Sequence, residues 1–232
     1  MHSEFFDNTP YKLVSSFDEL IHTSFQGSMN AICWQRNLAG DFKEIVTKLS
    51  LRENITIVSL EELLALQLSE GGNVARELIV NDLKLLTDAG ALPTLNLLKN
   101  YERDEELGFI STDVYSYHVD RSPIAVDTYL CTYYGAASDI LPNHGAEQQI
   151  LIPEIREKLK DLYDGPAVDF EVFLKEYFFD LHYRPKTDAN PINLGKGNLW
   201  KLAVDHPEQE ALPCIHRAPK ENEGEYRLLL IC

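Results

Sequence analysis

His118-Val119-Asp120 sets an imidazole and a carboxylate two residues apart at the end of a tyrosine-rich run. In extended chain, residues i and i+2 point to the same side, so the two groups converge on one point. A third ligand must come from elsewhere. His216 is the best candidate, because it follows the short apolar run Ala211 to Ile215 and precedes Arg217-Ala218-Pro219. Two imidazoles and one carboxylate leave adjacent positions open on an octahedral ion. That arrangement favours non-haem Fe(II), where a cosubstrate and O₂ bind together. The expected metal set is His118, Asp120 and His216.

Arg227 lies eleven residues after His216 (227 − 216), across a turn signalled by Asn222-Glu223-Gly224. Antiparallel pairing across that turn would set Arg227 beside the strand carrying His216. A guanidinium there can grip the far carboxylate of a 2-oxo acid as a bidentate pair. Tyr129, Thr132 or Tyr133, on a neighbouring strand, are the candidate hydroxyls to support it.

Each residue also has an ordinary structural role open to it. His118 can simply hydrogen-bond Asp120, His216 can cap a turn near Pro219, and Arg227 can be an edge charge facing solvent. An H-x-D triplet recurs by chance. The order H-x-D, distal His, then Arg on the next strand is far more selective. His2, His22, His144, His182 and His206 sit on helices, turns or near a chain end and are set aside as ligands, His182 being assigned to a helix C-terminus. Arg121 and Arg217 each follow an expected ligand, and either substrate binding or salt bridging to acidic neighbours suits them.

The elements that must position these groups change character near Gly108. Before it, Ser16-Phe17-Asp18-Glu19 and Ser59-Leu60-Glu61-Glu62 read as capping boxes, and Asp41 caps the spacing Phe42, Ile45, Val46, Leu49. Ala31 to Trp34 and Ile55 to Val58 read as strands. Gly71-Gly72 is expected to break one helix before another runs from Val74 to Thr87. After Gly108, Phe109 to Asp120 and Val126 to Tyr134 are rich in residues that suit strands. A helical insert follows over about 146–181, and strands return at Leu199 to Val204, Ala211 to Arg217 and Tyr226 to Ile231. The reading is one domain over 1–232, α+β: a mostly helical N-terminal layer over 1–107 and a β-barrel core over 108–232 with a helical insert.

Composition narrows the class. The chain has 232 residues, 44% hydrophobic and 25% charged, enough for a real core without staples. Its net charge of −16 opposes binding to nucleic acid, since Lys and Arg are scattered without a basic run. Cys33, Cys131, Cys214 and Cys232 form no C-x-x-C pair, so buried thiols are expected. Met1 to Pro10 has no leader pattern, and no stretch is long and apolar enough to span a membrane, so a cytoplasmic protein is expected.

The order His118-x-Asp120, His216, Arg227 resembles the iron(II)/2-oxoglutarate oxygenase superfamily. That resemblance implies a double-stranded β-helix (jelly-roll, cupin-like) core, with the distal His and the Arg on its last two strands. It also implies Fe(II) as cofactor and 2-oxoglutarate as cosubstrate, whose oxidative decarboxylation is coupled to oxidation of a second substrate. The gap of 98 residues from His118 to His216 (216 − 118) is longer than usual there, and the helical insert accounts for the excess.

A closer resemblance covers nearly the whole chain. Trp34-Gln35-Arg36-Asn37-Leu38, Leu130-Cys131-Thr132-Tyr133-Tyr134-Gly135, Leu199-Trp200-Lys201-Leu202, His216-Arg217-Ala218-Pro219 and Arg227-Leu228-Leu229-Leu230 resemble motifs of an uncharacterised bacterial family, domain of unknown function eighteen-twenty-six. Where that family reads G-P-G-T-x-W, this chain has Gly135-Ala136-Ala137-Ser138-Asp139-Ile140. That name implies no activity, so the oxygenase expectation rests on the metal and arginine pattern. The substrate, a small molecule or a peptide, has no recognition motif. The other reading is a cupin-like protein that binds a small acid without turnover, holding zinc, nickel or no metal. A metal-assisted hydrolase or isomerase would need a base, for which Glu225 and Asp127 are the nearest candidates in sequence.

Overall fold

The computed structural model describes residues 9–104 and 106–232. His2, and most of the N-terminal stretch searched for a leader, lie outside the described residues. The chain opens with β1 (Tyr11–Val14), α1 (Phe17–His22), β2 (Ala31–Trp34), α2 (Phe42–Lys48), β3 (Ile55–Val58), α3 (Leu60–Ala65), α4 (Glu70–Asp88) and β4 (Thr94–Leu98). It continues with β5 (Tyr117–His118), β6 (Asp127–Tyr134), β7 (Asp139–Leu141), β8 (Ala146–Gln148), α5 (Pro153–Asp161) and α6 (Phe170–Glu176). It closes with β9 (His182–Pro185), β10 (Ile192–Asn193), β11 (Leu199–Ala203), β12 (Ile215–Arg217) and β13 (Arg227–Ile231).

These elements make a mixed α+β fold with two β-sheets. The larger runs β1-β2-β11-β6-β13-β4-β3 and the smaller β10-β7-β12-β5-β9-β8. All pairings are antiparallel except β1 with β2. From β5 onward the chain crosses repeatedly between sheets: β5, β7 and β12 lie in the smaller, β6, β11 and β13 in the larger.

Alternation along the strands of the larger sheet separates two cores. On β11, Leu199 faces a helical layer with Ile45, Leu63, Ile79 and Leu86, while Trp200 and Leu202 face the second sheet with Ile140 and Cys214. On β6, Cys131 and Tyr133 take the helical side and Leu130 the inter-sheet side. A one-residue slip of either strand would exchange these faces, so burial on both sides pins the register.

The caps form largely as the sequence predicts. Ser59 and Glu62 make a full capping box, and Asp41 accepts from the backbone of Glu44. Ser16 caps α1, but Glu19 bonds Ser15 instead of closing a box. Gly71-Gly72 does not break a helix. It forms the first turn of α4, capped by Ser69. A Cβ on Gly72 would collide with the Glu44 carboxylate, which reaches in to bond Ser69. Close approach, not helix termination, is what this glycine serves.

Three expectations need correction. The segment 1–107 is not a separate helical layer: helices α1 to α4 make up most of its regular structure, but β1 to β4 join β6, β11 and β13 in one sheet. Only Tyr117–His118 of the expected strand Phe109 to Asp120 is extended ladder. Upstream, the Asp113 carboxylate accepts from the backbone of Tyr115 and Ser116, and this local turn wins over β propensity. Last, β12 and β13 are not neighbours. They belong to different sheets, so Arg227 faces His216 across the inter-sheet space instead of beside it. Among the described residues no helix is long and apolar enough to cross a membrane.

Candidate metal centre

His118 ends β5 and His216 is the middle residue of β12, and antiparallel pairing sets them directly opposite each other. Their rings are 4.6 Å apart between centroids. Asp120, just past β5, brings its carboxylate to 4.0 Å from His118 Nε2 and 3.6 Å from His216 Nε2. One ligand atom from each of the three lies within 4.8 Å of the others.

The backbone decides which nitrogens are available. His118 Nδ1 is 2.8 Å from the Ser116 carbonyl and His216 Nδ1 is 3.2 Å from the Cys214 carbonyl. A carbonyl only accepts, so each Nδ1 is the donor and the Nε2 edge of each ring is the one that faces Asp120. Thr128 donates its hydroxyl to Asp120 at 2.6 Å, which orients the carboxylate.

Electrostatics point the same way. Burial, then the neighbouring His216, pushes His118 down to about 4, so its imidazole is neutral at pH 7. Burial alone would raise Asp120, but His216, the Thr128 hydrogen bond and His118 together hold it below its ordinary value. A neutral imidazole at His118 and an ionised carboxylate at Asp120 are protonation states that a metal ion requires.

Arg227 enters the same space from the opposite sheet. Its side chain is 3% exposed, and it donates to Thr132 Oγ1 at 2.8 Å and Ser138 Oγ at 2.9 Å. Nη1 makes no hydrogen bond to a described residue, and no described carboxylate forms an ion pair with it. A buried guanidinium without a counter-ion is costly unless an anion shares its site. Of the three hydroxyls expected to support it, Thr132 does. Tyr129 and Tyr133 do not, because odd-numbered residues of β6 point to the helical side. There Tyr133 bonds Asp82 at 2.7 Å and stacks on Phe42. Ser138 was not anticipated. Its signal was its place in the loop straight after β6, within the altered Gly135 to Ile140 segment.

His118, Asp120, His216, Ser138 and Arg227 line one cavity of about 170 Å³, closed by Leu130, Leu229, Ile231 and Ala218. It is comparable to an engineered cavity that admits benzene, so it suits a small-molecule ligand. Tyr101 and Val114 line both this cavity and a wider groove of about 790 Å³, which carries Glu53, Glu102, Asp104, Glu106 and Asp113.

The remaining candidates take other roles. Arg121 pairs with Asp180 and Asp205, and Arg217 with Asp139. His182 does close a helical turn, as the backbone C-cap of the 3-10 segment Phe179–Leu181, but its buried ring bonds Ser116 Oγ at 2.7 Å and lies 5.9 Å from the His118 ring. Asp127 faces Lys201 and Glu225 bonds Asn222, so neither lines the cavity. The Trp34-Gln35-Arg36 motif is structural: Arg36 lies over Trp34 and forms a buried ion pair with Asp82 at 2.6 Å behind the larger sheet.

No curated protein and no solved structure matches the chain. The description Protein of unknown function (DUF1826) matches residues 18–232, nearly the full length, in agreement with the resemblance noted in the sequence, and the chain therefore belongs to that family.

Proposed function

We propose that the protein is an Fe(II)- and 2-oxoglutarate-dependent oxygenase built on a double-stranded β-helix. The observation that carries this reading is the meeting, in one small cavity, of two imidazoles with free Nε2 atoms, one oriented carboxylate and a buried guanidinium without a counter-ion. The strand orders β11-β6-β13-β4 and β7-β12-β5-β9, with the chain crossing between sheets, support the β-helix core.

His118, Asp120 and His216 would hold the ion on one side and leave its other positions open. When bound, Fe(II) with 2-oxoglutarate and O₂ supplies the oxidising chemistry, and 2-oxoglutarate leaves as succinate and CO₂. Arg227, braced by Thr132 and Ser138, would take the distal carboxylate and so fix which end of the keto acid meets the metal. Leu130, Leu229 and Ile231 keep that space dry. The substrate would approach along the groove shared at Tyr101 and Val114, whose carboxylates repel phosphate backbones. A zinc or nickel site with one bound water would use the same three ligands, with Arg227 holding a small acid that is not turned over.

Anaerobic loading with Fe(II), followed by titration with 2-oxoglutarate, tests this. One equivalent of iron and a visible band on adding 2-oxoglutarate are expected, with 2-oxoglutarate binding lost in Arg227→Ala. Iron uptake without 2-oxoglutarate binding would leave only the metal-binding reading.

A further inference from the structure

On the outer face of the smaller sheet, away from the metal cavity, lies a second cleft of about 280 Å³. Its lining includes Arg103, Arg184 and Arg217, and no described Asp or Glu. In a chain of net charge −16 such a concentration of guanidinium groups is the exception. We propose that this cleft binds a phosphate-bearing small molecule.

The arginines retain donors for such a ligand. Arg184 uses Nε and Nη2 on Glu147, which leaves its Nη1 uncommitted among the described residues, while Arg217 uses Nε and Nη2 on Asp139 and lies over the Tyr117 ring. Both pairs are partly exposed and therefore weak. Arg103 lies 3.8 Å above the Tyr115 ring and pairs with no described carboxylate. Fixed planar forks around one space suit the several oxygens of a dianion better than a single-charge ligand.

A second observation concerns the tyrosine that the Arg217 guanidinium covers at 4.5 Å from its ring centroid. Tyr117 lines the cleft, is only 3% exposed, and its hydroxyl has no hydrogen-bond partner among the described residues. Leaving a buried hydroxyl unpaired costs free energy that an incoming acceptor oxygen would recover. The phosphate itself fills only part of the cleft, so an organic ester has room beside Ser111, Gln149 and Tyr183.

The site does not depend on the metal-centre reading. Its test is calorimetric titration of the full chain with inorganic phosphate, phenyl phosphate and acetate at constant ionic strength. Saturable binding of phosphate or phenyl phosphate, with acetate weaker, is expected. The tighter of the two identifies whether the free anion or an ester is preferred. The double variant Arg103→Ala/Arg184→Ala should lose about tenfold or more in affinity. Tyr117→Phe should weaken binding while leaving the melting temperature without ligand unchanged or raised, which separates a ligand role from a folding role. Non-saturating titrations, acetate binding as tightly as phosphate, or wild-type affinity in both variants would overturn the proposal.

Discussion

His118 and His216 occupy directly opposed positions of antiparallel strands, with ring centroids 4.6 Å apart and each Nδ1 tied to a main-chain carbonyl two residues upstream. The same local device, repeated on β5 and β12, turns both Nε2 atoms toward Asp120. The orientation of both rings is thus written into the sheet itself.

Replacing His216 with Ala should abolish stoichiometric binding of Fe(II) or its redox-inert substitute Mn(II) while leaving the fold intact. Elemental analysis and far-UV circular dichroism check the two halves of this outcome.

Thr128→Val removes the hydroxyl that holds Asp120 but keeps the shape of the side chain. Metal affinity should fall by about 10- to 100-fold, the usual cost of losing a group that orients a ligand. Equilibrium dialysis with Mn(II) measures it, and unchanged affinity would mean that Asp120 is positioned by its backbone alone.

Arg227→Lys keeps a positive charge but loses the planar fork that spans Thr132 and Ser138. Binding of 2-oxoglutarate should weaken by an order of magnitude or more, with Fe(II) affinity unchanged. Paired titrations of metal and keto acid separate the two effects.

The Arg36–Asp82 pair lies behind the larger sheet with side-chain exposures of 8% and 1%. Asp82→Ala strands a buried guanidinium and also orphans the Tyr133 hydroxyl. A loss of about 3–5 kcal/mol in unfolding free energy is expected from urea titration. Tyr133→Phe should cost only about 1 kcal/mol.

Glu44 gathers Lys48, the Ser69 hydroxyl and the Ser69 backbone, and these bonds hold its carboxyl down at about 2. A depressed pKa adds stability at pH values above the unfolded value of 4.5, and that stability is lost as pH falls toward 2. Glu44→Gln should therefore lower the melting temperature at pH 7 and make little difference near pH 2, which scans at both pH values would reveal.

How much of this was legible beforehand depended on the range of the interaction. Local rules read well. Ser16, Asp41 and Ser59 cap helices because a side-chain oxygen can satisfy a main-chain donor three residues away. Asp113 shows the opposite hazard, since an equally local turn shortened a stretch that composition alone marked as strand.

His118, Asp120, His216 and Arg227 could be named from residue type and order, because ligand chemistry restricts which side chains can serve. What they meet was another matter. Strand alternation placed Thr132 on the Arg227 side and turned Tyr129 and Tyr133 away, yet which parity faced inward depended on the pairing of β6 with β11 and β13. Likewise, eleven residues of chain between His216 and Arg227 are compatible with a hairpin or with a crossing between sheets. Only the burial of the Leu228 and Leu230 side against the helices, and of Leu229 against the second sheet, selected the crossing. Residue identity determined the chemistry on offer; packing of distant apolar surfaces decided which groups share a cavity, because that free energy is summed over contacts no local segment contains.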